Sequence, residues 1–237
     1  MGTYKEIRGT HIVSVTSDPP SPVNGQMWYN STDRAIKGSK SNPAGVWASS
    51  TAMNTGRNLL GASGTSTAAL AFGGQTAPGG VTAVTENWNG TSWTEVNDLN
   101  TARHDAASFG IYTAAIAAGG YTTTEVGITE SWDGSSWTEV NDLNTARNGL
   151  RGAGQSTSTD GLVFGGAGSP YKTVTETWDG SSWTEKSDLN TGVRYLAGSG
   201  NASSALAIGG DSVPGEATTA VEEWTAPATS TVTFTVS

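Results

Sequence analysis

From about residue 57 onward, short apolar runs recur along the chain, each closed by a Gly-Gly pair. The runs are Ala68 to Phe72, Ala114 to Ala118, Gly161 to Phe164 and Ser204 to Ile208. Their Gly-Gly pairs fall at 73–74, 119–120, 165–166 and 209–210, steps of 46, 46 and 44 residues. About a dozen residues later, Thr-Glu-x-Trp or a close variant ends at Trp88, Trp132, Trp178 and Trp224. A second tryptophan follows at 93, 137 and 183. Asp-Leu-Asn-Thr then leads to Arg103 and Arg147, with Arg57 in the equivalent place and Arg194 displaced by one residue.

Each unit reads as four strands: a Gly/Ala/Ser-rich strand, the apolar run, the strand ending at the first Trp, and the strand starting at the second. Asn89-Gly90, Asp133-Gly134 and Asp179-Gly180 lie between the paired tryptophans. Asn-Gly and Asp-Gly adopt positive φ readily, so these segments are hairpin turns. Four strands in about 46 residues predict a β-propeller blade rather than a solenoid, since no capping repeats are apparent. Four units predict four blades in one chain, with a ring completed by a second chain as the alternative, and small residues at 61–64, 106–108, 152–154 and 197–200 suit crowded innermost strands. Trp47 precedes Asn54 as Trp183 precedes Asn190, so the Trp47 segment is expected to close the ring as the outer strand of the last blade. The alternating Thr231 to Val236 segment competes for that slot.

Gly-Gly after an apolar strand, then an aromatic, Trp and Arg, resembles the kelch repeat, with Trp replacing the usual Tyr and a shorter gap between the aromatics. More closely, the chain resembles kelch-like proteins of marine bacteriophages, whose opening is matched by Pro22, Gly25, Gln26, Trp28, Tyr29 and Asn30. The resemblance covers nearly the whole chain. It implies an all-β, kelch-like propeller over residues 45–237 behind a small β-rich anchor over residues 1–44. It further implies a non-enzymatic virion component, a tail fibre, tip or decorating appendage. The anchor, with Trp28 and Tyr29 in its core or interface, would dock onto other virion proteins, in a homo-oligomeric assembly. An adhesin or lectin-like module outside a virus and a glycan hydrolase on a propeller scaffold are the alternatives.

Composition narrows the chemistry. With no cysteine there are no disulfides, thiolate metal sites or cysteine nucleophiles. The net charge of −9 is uneven: residues 1–40 carry +2 and residues 41–237 carry −11, which marks a boundary near residue 40. Ser39, Ser41, Asn42, Pro43 and Gly45 form a candidate linker. An acidic main domain argues against nucleic-acid binding, and no apolar run of 18 residues argues against membrane insertion. No signal peptide is visible.

Only two histidines exist, His11 and His104, and His104 reads as a surface variant because Asn58 and Asn148 hold the equivalent places. No catalytic residues, metal site or cofactor are expected. A glycosidase needs two carboxylates about 5–10 Å apart in one cleft, whereas the acids here recur at repeat positions. Glu86, Glu130, Glu176 and Glu222 are expected to meet Arg57, Arg103 and Arg147 as buried pairs between blades. The paired tryptophans Trp88/Trp93, Trp132/Trp137 and Trp178/Trp183 are expected to pack between blades. The segments after Gly-Gly vary between units and lie on the rim opposite the Asp-Gly-Ser-Ser turns. Loops on a rigid scaffold carry binding, so a host-surface glycan or protein is expected to meet Tyr121, Tyr171, Gln75 and Asp211.

Overall fold

The computed structural model describes residues 13–21, 23, 26–39 and 47–227, and these are all-β, with no helix among them. The chain divides into two compact units, residues 1–49 and 50–237.

In the first unit, β1 (Val13–Val15) pairs in parallel with β2 (Met27–Asn30), and β2 pairs antiparallel with β3 (Ala35–Gly38). Trp28 is buried, and its indole donates to Asp18 at 2.9 Å. Asn30 and Lys37 also donate to Asp18, at 2.8 and 2.7 Å. These hydrogen bonds, the one from Lys37 foremost, lower the Asp18 carboxyl to about 2. Tyr29 is half-buried in the same strand. The first twelve residues of the expected anchor, most of the candidate linker and the Thr231 to Val236 segment lie outside the described residues.

The second unit is four sheets in succession. The first comprises β4 (Gly61–Gly64), β5 (Ala69–Phe72), β8 (Thr85–Trp88) and β9 (Trp93–Val96). A small hairpin, β6 (Gln75–Thr76) and β7 (Gly80–Val81), sits within its central connection. The second sheet comprises β10 (Ala107–Ile111), β11 (Ala114–Ala118), β12 (Thr129–Trp132) and β13 (Trp137–Val140). The third comprises β14 (Arg151–Gly152), β15 (Gly161–Phe164), β16 (Thr175–Trp178) and β17 (Trp183–Glu185). The fourth has three strands, β18 (Ala197–Gly200), β19 (Ser204–Ile208) and β22 (Val221–Thr225). A second small hairpin, β20 (Asp211–Val213) and β21 (Glu216–Ala217), fills its connection. Every strand pairing in these sheets is antiparallel.

The core lies between the sheets. Leu70, Phe72, Ala115 and Trp137 fill the first junction, Phe109, Ile116, Val163 and Trp183 the second, and Leu162, Phe164, Ala205 and Ala207 the third. Both faces of the middle sheets are therefore covered, and β15 is buried along its length. The first strands β4, β10, β14 and β18 lie side by side in that order. Their small residues follow from this closeness: a Cβ on Gly198 would stand 2.4 Å from the carbonyl oxygen of Gly152. The Gly-Gly pairs have a similar cause, since Gly73, Gly119 and Gly165 have φ of 62°, 68° and 67°, each beside a carbonyl of the following connector.

One expectation is overturned. Among the described residues no sheet closes, and Trp47 makes no strand pairing with the last sheet. Trp47 belongs to no strand and is fully exposed. On the outward face of the fourth sheet Leu206, Ile208 and Val221 stand exposed, because among the described residues no further sheet covers them.

Candidate functional site

The connectors pin one sheet to the next through the repeated carboxylates. Asn100 donates its backbone N–H and its side-chain amide to Glu130 at 2.7 and 2.8 Å, and the Thr101 N–H adds a bond at 3.2 Å. Arg103 completes the set as a buried ion pair with Glu130. Glu176 receives Asn144 and Arg147 in the same way, and Glu86 receives Asn54, Thr55 and Arg57. All three Arg and all three Glu side chains in these pairs are fully buried. Burial pushes the Arg147 guanidinium below its ordinary value, and Glu176 opposes that shift.

The tryptophan pairs are also structural. Ring centroids are 5.4 Å apart in Trp88/Trp93, 5.4 Å in Trp132/Trp137 and 5.2 Å in Trp178/Trp183. Trp137 donates its indole N–H to Thr85 of the preceding sheet at 3.0 Å, and Trp183 does the same to Thr129 at 3.1 Å. The turns between the pairs are held by Asn89, Asp133 and Asp179, whose side-chain oxygens accept from the second and third residues that follow.

The fourth unit breaks this pattern. Val193 takes the place of Arg103 and Arg147, so Glu222 is held by Asn190 and Thr191 with no arginine. The displaced Arg194 instead lies between two phenol rings, with its guanidinium carbon 4.8 Å from the centroid of Tyr171 and 4.8 Å from that of Tyr195. Its Nε is 3.5 Å from the Asp211 carboxylate, and its backbone bridges Asp211 in both directions. Tyr195 is 42% exposed. Burial, reinforced by the negative charge of Asp105, raises its phenol above the ordinary value.

Tyr195 also belongs to a row. Leu59, Asp105, Gly149 and Tyr195 occupy equivalent positions with φ of 52°, 57°, 60° and 53°. The Asp105 N–H donates to the Leu59 carbonyl, Gly149 to Asp105 and Tyr195 to Gly149, at 3.0, 3.0 and 2.8 Å. Three non-glycine residues held at positive φ are a local strain that the surrounding bonds impose. The row sits at the end of the sheets that carries the connections after Gly-Gly, opposite the Asn/Asp turns, as the antiparallel strand order requires.

Of the residues singled out from sequence, Gln75, Tyr121 and Asp211 occupy one repeated position, each bridging the residue just before the positive-φ row: Asn58, His104 and Arg194. Tyr121 is half-buried and tilted against His104 at 5.3 Å. Tyr171 is half-buried with its hydroxyl enclosed and unpaired. The structure brings Tyr171 and Asp211 together through Arg194 and leaves Gln75 and Tyr121 in other units. His104 is not the surface variant expected: it is largely enclosed, with Nδ1 3.1 Å from Asp105, because Tyr121 covers its ring. Sequence reasoning missed Arg194 and Tyr195 as site residues. The one-residue displacement of Arg194 was the available signal.

Among the described residues, no cluster of His, Asp or Glu is placed to hold a metal ion. No known protein-family model and no curated protein matches this chain.

Proposed function

We propose that the four sheets are blades of a kelch-like β-propeller, and that the protein is a non-enzymatic virion component that attaches to a host surface through the rim formed by Tyr171, Arg194, Tyr195 and Asp211. The observation that carries the binding part is the displaced Arg194. In the other units the arginine is spent on holding a carboxylate in the interior. In the fourth it is partly exposed between two tyrosines and next to an acid. Tyrosine gives a large, rather rigid contact with a polar tip, and arginine adds directional donors. The repeated carboxylates Glu86, Glu130 and Glu176 are each saturated by an arginine and an asparagine, which supports a binding role over turnover. The virion location rests on the resemblance to phage kelch-like proteins, with residues 1–44 as the anchor to other virion proteins.

Two measurements test this reading. Antibody labelling of purified particles should place the protein on an external appendage, and absence from particles would refute the virion role. Purified protein should bind intact host cells, and the Arg194→Ala/Tyr195→Ala variant should bind at least tenfold more weakly while remaining folded.

A further inference from the structure

Among the described residues the fourth sheet lacks the outer strand that ends the other three, and its edge carries the contacts such a strand would meet. A groove of about 380 Å³ beside β22 is lined by Phe164, Thr175, Asn190, Glu222 and Trp224, among others. At the first junction the equivalent groups all serve one tryptophan. Phe72 packs edge-on against Trp137 at 4.7 Å, Thr85 accepts its indole N–H at 3.0 Å, and Asn100 donates to its carbonyl at 3.0 Å. At the second, Thr129 accepts from Trp183 and Asn144 donates to its carbonyl, both at 3.1 Å. Phe164, Thr175 and Asn190 are the third such set. Asn190 already makes the matching bonds to Glu222, at 2.7 and 2.9 Å.

The chain contains one further tryptophan with the right spacing. Trp47 precedes Asn54 by the same interval that separates Trp93 from Asn100, Trp137 from Asn144 and Trp183 from Asn190. Asn54 also performs the repeat's task, donating to Glu86 at 2.7 and 2.9 Å. Trp47 itself is fully exposed. Both ends of the run of sheets are uncovered as well. Ile208 and Val221 are 38% and 56% exposed, whereas the equivalent Phe72 and Thr85 are 1% and 0% exposed. Trp93 is half-buried on the first sheet, at the position from which Trp137 and Trp183 cover the preceding sheet. Among the described residues, the row of inter-sheet bonds runs from the Leu59 carbonyl to the Tyr195 amide.

We propose that the groove beside β22 receives the Trp47 segment of a second copy of this chain, whose first sheet covers Leu206, Ile208 and Val221. The contact is head-to-tail, and it satisfies every end only if the ring closes. Propellers run from about four to about eight blades, and the four sheets of one chain leave Leu206, Ile208 and Val221 uncovered, so the closed form is a dimer in which each copy gives one strand and takes one. The inference rests on the repeated bonds between sheets and is independent of the virion reading.

The test uses the full chain. Sedimentation velocity should show a species of twice the 24.2 kDa chain mass. Trp47→Ala, a change at an exposed residue, should weaken that association at least tenfold. In the proposed pairing Ala48 would face Glu223 as Thr94 faces Asn87. Because the chain has no cysteine, Ala48→Cys and Glu223→Cys can be introduced singly, mixed and oxidised. The mixture should yield a disulfide-linked pair of chains. A protein that is monomeric at all concentrations, or a Trp47→Ala variant that associates like wild type, would overturn the proposal. So would a double variant that cross-links only within its own chain, which would show the groove filled from within.

Discussion

Arg147 and Glu176 form a fully buried ion pair that pins the connector after the second sheet onto the third. Asn144 holds the same carboxylate through two bonds at 2.8 Å. A buried charge stripped of its partner is costly, so Arg147→Ala should destabilise the fold by about 3–5 kcal/mol. Arg103→Ala should cost a similar amount, because it strands Glu130 in the same way. Urea denaturation midpoints measure both. Arg194→Ala, whose partner Asp211 is partly exposed, should cost no more than about 1 kcal/mol.

Trp137 and Thr85 join neighbouring sheets by a buried hydrogen bond of 3.0 Å. A double-mutant cycle with Trp137→Phe and Thr85→Val should give a coupling of about 1 kcal/mol, the usual net worth of such a bond. A coupling near zero would show that the indole acts through packing alone.

Gly198 faces the backbone of Gly152 in the neighbouring first strand, leaving 2.4 Å for a Cβ. Backbone cannot swing aside as a flexible side chain can. Gly198→Ala should therefore destabilise the chain by about 1–3 kcal/mol through overpacking. Gly154→Ala, with nothing near its Cβ, is the matched control and should leave the melting temperature unchanged within error.

Much of this architecture was legible in the sequence because the repeat imposes the same physics at each copy. The Gly-Gly spacing, the Asn/Asp turns and the alternation around each tryptophan mark strands whose order the structure reproduces. The Glu–Arg pairs could be anticipated because residues kept at equivalent places, such as Glu130 and Arg103, must meet equivalent neighbours. What could not be read was where the pattern stops. Val193 in place of an arginine looks like a lost contact, and only packing shows that Arg194 is recruited between Tyr171 and Tyr195. The enclosure of His104 depends on Tyr121, a contact between segments that local pattern does not reveal. Trp47 fits the repeat by spacing, yet spacing alone does not say which sheet receives it.

The Asp133 and Asp179 carboxyls are lowered from the ordinary aspartate value to about 2 by bonds from the residues that follow. For Asp133 the leading contribution is the Ser136 backbone, and for Asp179 it is the Ser181 side chain. A depressed folded value means that the stabilisation is fully present above the unfolded value and is lost as pH falls through about 2. Carboxyl NMR titration should find both groups still ionised at pH 3. The first turn is the internal control, since Asn89 takes the aspartate position and does not titrate.

The central functional claim is that the rim of the fourth unit contacts the host. Its most direct test is the binding of fluorescently labelled protein to intact host cells, comparing wild type with Arg194→Ala/Tyr195→Ala at matched folded concentration. The account predicts at least a tenfold loss of binding in the variant, with a melting temperature close to that of wild type. Undiminished binding by a folded variant would contradict it and move the contact surface away from this rim.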